Sequence, residues 1–367
     1  MPPSVAAFTD TYLPTVNGVT YTVATWAERY RDRGGRMAVV YPDADHDPRE
    51  DEHPVGSLPF PFYEGFRLGL PRAPAAVGDA EVVHTHTPFS VGAAGARLAR
   101  RRDRPLVASY HTPTGEYADY LAVGDRSARL VRGASRRYER WFLDRTDLVL
   151  APSEATRDHL TGTVGVSTPV EVLPNGVDIE RFRPVDPGPF RDRHGLPDGD
   201  LVGYTGRHGY EKCLDQLLEA AAALDVTVVL GGDGPARGNL ERRAHEVGAD
   251  ARFLGFLDRE ELPAFYSALA AFCFPSPVET QGLVALEANA CGTPVVAADS
   301  GALADTVDDG ENGYHFDAGD VAGFRAAIRR TLADREALRE RCLDRREAVS
   351  VEHSLDELVA VYRRLLL

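Results

Sequence analysis

Lysine is almost absent from this chain: of 41 basic residues in 367, one, Lys212, is lysine and the rest are arginines. Composition alone would put lysine at a given basic position about one time in 41, so its retention at Gly-Arg-x-x-x-x-Lys (Gly206, Arg207, Lys212) points to a chemical need. A compact ammonium differs from a guanidinium fork in reach, hydration and donor geometry. Cysteine is scarce as well. Cys213, Cys273, Cys291 and Cys342 lie at no metal-ligand spacing, and all but Cys342 fall in segments that read as core or cleft. That usage argues against a disulfide framework and for reduced thiols in a cytosol. No run of 18 apolar residues occurs, and the start, Met-Pro-Pro-Ser-Val, lacks a basic region followed by an apolar stretch. Membrane spanning and secretion are both disfavoured, and a cytoplasmic location is expected. Positive charge is in deficit too, with a formal net charge of -15. The deficit argues against a nucleic-acid partner, and the acid-rich, lysine-poor balance suits a chain adapted to high salt.

What is present is a rhythm. Short apolar runs at 5–8, 37–41, 81–85, 106–110, 147–151 and 170–173 alternate with helical patterns, and the alternation restarts at 201–206, 227–232, 251–255, 271–274 and 294–298. Nearly continuous apolar strands followed by helices imply parallel sheets covered on both faces. The stretch 174–200 has five prolines and no apolar periodicity, and reads as a junction. The expected fold is therefore α/β, with two doubly wound, Rossmann-like domains facing across a cleft. The expected boundaries are 1–179 for the first domain and 180–348 for the second. A terminal helix, 349–367, with Leu355, Leu358, Val359, Tyr362, Leu365 and Leu366 at helical spacing, must pack on another surface and is assigned to the first domain.

Charge divides unevenly. Residues 1–184 carry 22 Arg and 24 acids, and the remainder carries 19 basic residues and 32 acids. Within the first half, segment 126–145 places Arg129, Arg132, Arg136 and Arg140 on one helical face and Leu130, Val131, Ala134, Tyr138, Trp141 and Phe142 on the other. Two readings stand: an ordinary surface helix, or a peripheral contact with anionic lipid at the inner membrane face. A second arginine cluster, Arg97 to Arg104, leans toward the membrane.

The strongest chemical signal is segment 276–313. Glu279 and Glu287 are separated by seven residues, and between them the chain passes through Gln281, Gly282, Leu283 and Val284 into a helix. A glycine at a helix start lets a ligand approach backbone N–H groups, which suit phosphate and sugar oxygens. The two carboxylates can accept hydrogen bonds from separate sets of hydroxyls, as on a sugar and a ribose. This arrangement resembles the Glu-x7-Glu signature of the GT-B, family 4 retaining glycosyltransferases. Segments 203–220, 230–244, 253–269 and 173–184 resemble that family's Gly-Arg…Glu-Lys, Gly-Asp-Gly-Pro, strand-and-helix and Asn-Gly-Val-Asp stretches. Segments 8–19, 84–92 and 109–121 resemble the first domain of members that glucosylate or mannosylate membrane lipids.

The resemblance implies a hexosyltransferase with a nucleotide-sugar donor, UDP- or GDP-linked, a lipid or glycan acceptor, and neither metal nor cofactor. It assigns Arg207 and Lys212 to the leaving diphosphate, with Gly18 adding backbone N–H contacts. Glu279 and His111 go to the transferred sugar, and Gln281, Gly282, Leu283 and Val284 to sugar and phosphate oxygens through the backbone. Glu287 holds the ribose, Phe256 lies in the stretch nearest the base, and Asp10 and Tyr12 line the acceptor side. Departures from the family pattern are Cys213, where glycine is usual, His208, where an apolar residue is common, and Asn289 in place of methionine. His84-x-His86 offers a metal only two ligands, and Asp-x-Asp pairs such as Asp198/Asp200 arise easily in so acidic a chain. Other readings remain open: transfer to a soluble or polymeric glycan, a nucleotide-sugar 2-epimerase, and a non-catalytic sugar-nucleotide binding module.

Overall fold

The structure is a computed structural model that describes residues 1–15, 17–59, 67–111 and 125–367, with the side chains of 125–130 and 132 left aside. The chain forms two compact units, one of Met1–Asn175 with Val351–Leu367, the other of Gly176–Ser350. The junctions fall a few residues from those expected at 179/180 and 348/349. The cause is local: Val177 N–H donates to Val349 O at 2.8 Å, and Val177 bridges Ser350 in parallel, so 176–179 pair within the second unit.

In the first unit, among the described residues, seven strands form one sheet. They are β1 (Val5–Phe8), β2 (Met37–Pro42), β3 (Glu52–Val55), β6 (Val82–Thr85), β7 (Leu106–Ser109), β8 (Leu148–Ala151) and β9 (Val170–Val172), with a separate hairpin of β4 (Ser57–Pro59) and β5 (Arg67–Gly69). The sheet order is β3-β2-β1-β6-β7-β8-β9, with every pairing parallel. Every residue of β1, β2, β6, β7 and β8 is buried. This double-sided burial explains their unbroken apolar runs.

The second unit repeats the plan with β10 (Leu201–Thr205), β11 (Thr227–Gly231), β12 (Ala251–Gly255), β13 (Ala271–Phe274), β14 (Val295–Ala298) and β15 (Gly313–Phe316). Their order is β12-β11-β10-β13-β14-β15, again parallel. Tyr204, Tyr266, Phe272 and Phe274 form an aromatic centre, each under 3% exposed. A buried aromatic side chain contributes roughly 1.5–3 kcal/mol, so this cluster anchors β10 against β13. Strand order reverses between β1 and β6 in the first sheet and between β10 and β13 in the second, and in open α/β sheets ligands bind beyond the carboxyl ends of strands at such points.

Helix Val351–Leu365 closes the first unit. Leu355, Leu358, Val359 and Tyr362 are buried with Val5, Trp26, Tyr30 and Met37, while Leu366 stays exposed. Arg33 fixes its start, with Nε 2.9 Å from Glu352 Oε2 and Nη1 2.9 Å from Asp356 Oδ1. No helix among the described residues is long and apolar enough to cross a membrane.

Candidate active site

At the reversal point of the second sheet, β10 runs into Gly206 and Arg207, and β13 into the loop carrying Glu279. The loops that follow β10 and β11 touch: a Cβ at Gly232 would stand 2.0 Å from Gly206 O, so no other residue fits there. A short 3-10 turn, Tyr210–Lys212, brings the lysine back over the sheet edge. Lys212 Nζ donates to Glu279 Oε1 at 2.5 Å. Both side chains are largely buried, at 18% and 14% exposure. Burial works against the ammonium, but the charges of Glu279, Tyr204 and Glu211 outweigh it and hold the Lys212 pKa above its ordinary value. Arg207, 40% exposed, pairs with Glu211 four residues on. Lys212, Glu279, Glu211 and Arg207 all act electrostatically on the buried Tyr204 phenol, whose pKa is raised first of all by burial.

The Glu279 loop is braced from both sides. Ser276 Oγ donates to Val278 O at 3.1 Å and Ser300 Oγ to Pro277 O at 2.8 Å. The loop ends at Gly282, in the left-handed region at φ +77, which is the N-cap of helix Leu283–Ala290 and supplies no side-chain cap. The helix therefore starts with N–H groups of the kind that suit an anion. Gln281 is buried and Leu283 and Val284 half-buried. Glu287, on the second turn, accepts from Tyr266 Oη at 2.7 Å. Burial pushes its carboxyl up to about 7, against the Tyr266 hydrogen bond and the charges of Arg259 and Arg181. Phe256 follows β12 and is 63% exposed.

The residues assigned from sequence thus fall into three places. Arg207, Lys212, Glu279, Gln281, Gly282, Leu283, Val284 and Glu287 share the reversal point of the second sheet, and Phe256 lies two strands away along its edge. Gly18 and His111 belong to the first unit. Gly18 opens helix Gly18–Asp32, whose N-cap Asn17 accepts from Thr20 N at 2.9 Å. His111 follows β7 and is buried, with Nε2 3.0 Å from His86 Nδ1. His84 sits beside them, its Nδ1 2.6 Å from Tyr362 Oη and its Nε2 2.8 Å from Ser109 Oγ. Burial pushes His84 down to about 3 and His111 to about 4. Thr112 and Pro113, and the side chains of Arg129, Leu130 and Arg132, lie outside the described residues.

Two residues expected on the acceptor side are used inside the fold. Asp10 caps helix Ser90–Arg102, its Oδ1 accepting from Val91 N at 2.8 Å and its Oδ2 from Thr87 Oγ1 at 2.6 Å. Tyr12 is buried and donates to Glu52 Oε1 at 2.9 Å. His208 turns into the sheet, with Nε2 3.1 Å from Gly231 O, and burial lowers its pKa below the ordinary imidazole value. Asn289 is buried, with Nδ2 3.1 Å from Asn312 O and 3.4 Å from the sulfur of Cys342, a cysteine the sequence had left outside the core. Sequence reasoning placed Glu211 in the Gly-Arg…Glu-Lys stretch without giving it a role, and missed Tyr204 and Tyr266. Glu211 was detectable as an acid four residues after Arg207, whereas the two tyrosines look like ordinary core. Among the described residues no group of three His, Cys, Asp or Glu is arranged to hold a metal ion.

The family description Glycosyltransferase Family 4 matches residues 16–181, and Glycosyl transferases group 1 matches 189–347. The chain is 32% identical over 317 residues to the alpha-monoglucosyldiacylglycerol synthase of Streptococcus pneumoniae, covering 80% of this chain and 70% of that protein. The chain belongs to glycosyltransferase family 4. It is also 32% identical over 339 residues to a GDP-mannose-dependent alpha-mannosyltransferase of Mycolicibacterium smegmatis, covering 88% and 86%. Among solved structures, the sucrose-phosphate synthase of Thermosynechococcus elongatus aligns with a TM-score of 0.79 and 23% identity over 99% of each chain, which shows the shared GT-B fold. As a family 4 glycosyltransferase, the chain transfers a sugar from a nucleotide-sugar donor.

Proposed function

We propose that this glycosyltransferase is a retaining, metal-independent hexosyltransferase that moves glucose or mannose from a UDP- or GDP-sugar to a hydroxyl of a membrane glycerolipid. The observation that carries the reading is the Lys212–Glu279 pair, 2.5 Å apart, at the reversal point of the second sheet. In a nucleotide-diphosphate sugar the anomeric carbon and the β-phosphorus are separated by one oxygen. A carboxylate that receives sugar hydroxyls and an ammonium that receives the departing phosphate must therefore lie side by side.

As the glycosidic bond breaks, negative charge grows on the phosphate. Two unit charges at 4 Å interact by roughly 4 kcal/mol at an effective dielectric near 20. Pre-placed cations of that strength give a large share of a rate enhancement. Arg207 would grip two oxygens as a fork once the diphosphate displaces Glu211, and Lys212 would act as a point charge. The N–H groups of Leu283 and Val284 would face phosphate oxygens, Glu287 the ribose hydroxyls, and Phe256 the base. Gly18 and His111, in the other unit, are assigned to the diphosphate and to the sugar's primary hydroxyl, and variants there test that part separately.

The lipid acceptor is supported by the name of the streptococcal relative and by the surface of helix Asp125–Leu143. There Tyr138 and Trp141 stack at 5.8 Å with 38% and 49% exposure, and Arg145 lies 4.3 Å over the Trp141 ring. Exposed aromatics beside arginines suit the membrane interface.

Lys212→Ala and Glu279→Ala are each expected to lower kcat by roughly 100-fold or more. Lys212→Arg should also impair transfer, because a fork does not replace a point charge. Full activity in either alanine variant would sink the mechanism. Mass spectrometry of products from a panel of UDP- and GDP-sugars, with extracted lipids in one arm and soluble glycans in the other, identifies donor and acceptor. Proton NMR of the product's anomeric centre reads retention directly.

A further inference from the structure

The second unit sets a phenol close to the Lys212–Glu279 pair and gives it nothing to bond. Tyr204 is the next-to-last residue of β10 and is 2% exposed. Its ring stacks on Phe272 at 5.8 Å and packs against Phe274 at 5.4 Å, both on β13, the strand that leads into the Glu279 loop. The side chain runs toward the carboxyl end of the sheet: a Cβ on Gly206, two residues on, would stand 2.8 Å from the phenol oxygen. Lys212 and Glu279 are the charges that act on that oxygen most strongly.

Several buried tyrosines of this chain use their hydroxyls inside the fold. Tyr12 donates to Glu52 Oε1 at 2.9 Å, Tyr30 to Pro3 O at 2.6 Å and Tyr266 to Glu287 Oε2 at 2.7 Å. The Tyr204 hydroxyl makes no hydrogen bond among the described residues. Buried polar side chains nearly always have a partner, and one left without is costly to the fold. Burial also raises the pKa of this phenol, so the proton stays on the oxygen and is there for an acceptor to take up in a hydrogen bond.

The acceptor follows from the chemistry of the pair. In the free protein Lys212 Nζ donates to Glu279 Oε1. Transfer as read above turns the ammonium toward the leaving phosphate while Glu279 still has to hold the sugar. A carboxylate has about four lone-pair sites, so it can accept from a sugar hydroxyl and from a second donor together. Tyr266 already serves Glu287 as such a donor, and Tyr204 belongs to the same buried cluster.

We propose that Tyr204 is a positioning residue: its hydroxyl donates to the Glu279 carboxylate as Lys212 turns to the leaving phosphate, and so keeps that carboxylate aimed at the sugar. The inference rests on the roles read above for Lys212 and Glu279.

The test uses the full chain and Tyr204→Phe, which keeps the ring and removes only the hydroxyl. With the nucleotide sugar that the product panel identifies, kcat should fall between about tenfold and about a hundredfold, the scale of one hydrogen bond to a charged group. Binding of UDP or GDP, measured by calorimetry, should change by less than about threefold, as for an interaction made only during transfer. Tm should hold or rise, because no partner is left stranded. In a Glu279→Ala background the same substitution should cost no further activity, as for two residues that act through one contact. Wild-type kcat in Tyr204→Phe overturns the proposal, and so does a fall in Tm of several degrees, which would make the hydroxyl structural. Nucleoside diphosphate binding weakened by about tenfold or more would place the hydroxyl on the phosphate and overturn it as well. If the residual rate of Glu279→Ala is too low to measure, kcat against nucleotide binding in Tyr204→Phe decides. Full activity in Glu279→Ala would sink the reading of the pair and this role with it, whereas an impaired Glu279→Ala beside a fully active Tyr204→Phe removes this role alone.

Discussion

Cys213 follows the one lysine in a conformation few side chains adopt, with φ at +50. A left-handed residue with a Cβ costs roughly 1–2 kcal/mol, partly offset in comparison with glycine by glycine's greater entropy loss on folding. Cys213→Gly is therefore expected to stabilise the protein by up to about 1 kcal/mol, read as a rise in Tm with unchanged activity, and a fall in Tm would show that the thiol's packing matters more. Glu287 offers a second residue-level test, because its carboxyl is pushed up to about 7 by burial. A carboxyl raised in the folded state contributes stability that is complete below its ordinary value of 4.5 and is lost as pH rises through 7. Glu287→Gln should thus raise Tm at pH 8, by a free energy on the order of 3 kcal/mol, and leave it nearly unchanged at pH 4. Ribose hydroxyls favour the ionised carboxylate, so nucleoside diphosphate binding near pH 7 should release protons from the wild type and not from the variant. Calorimetry in buffers of different ionisation enthalpy measures that release.

Elements differed in how plainly the sequence announced them. The central strands, such as VAAF and AFCF, are buried on both faces, and their apolar runs state this without ambiguity. Strand β3, Glu-His-Pro-Val, was silent because an edge strand tolerates a proline that donates nothing. The strands of the β4–β5 hairpin are too short to show a period, and β15, Gly-Tyr-His-Phe, has no apolar run because a glycine and a histidine interrupt it. The candidate site was legible where function imposes spacing: Glu279, Gly282 and Glu287 could be read as a unit because a loop must turn into a helix there. Tyr266 and Tyr204 could not, because nothing local separates a tyrosine that serves a carboxylate from one that fills a core. On helix Asp125–Leu143 the periodicity set Trp141 and Phe142 on one face, yet Trp141 is 49% exposed and Phe142 4%, while Glu139 is 2% exposed, its carboxylate accepting from Tyr110 Oη at 3.2 Å. Replacing Tyr138 and Trp141 together by serine should weaken sedimentation with anionic vesicles severalfold and leave donor hydrolysis intact. Wild-type protein that ignores such vesicles at working salt would remove the membrane contact altogether.

For the molecule as a whole, the excess negative charge is concentrated after residue 184, where 32 acids face 19 basic residues. Self-repulsion of this kind is screened within a Debye length of about 3 Å at 1 M salt. The free energy of unfolding is expected to rise between millimolar and molar KCl, and a flat denaturation midpoint would discard the high-salt explanation. The order of the chain has a different consequence. The second unit, Gly176–Ser350, is inserted within the first, which needs Val351–Leu367 for completion. On the ribosome, domains generally fold as they emerge, but here the earliest-made sheet waits for the last helix to cover Trp26 and Tyr30. The unit begun first is finished last, so for most of synthesis its apolar face lacks its cover while its neighbour can already be folded.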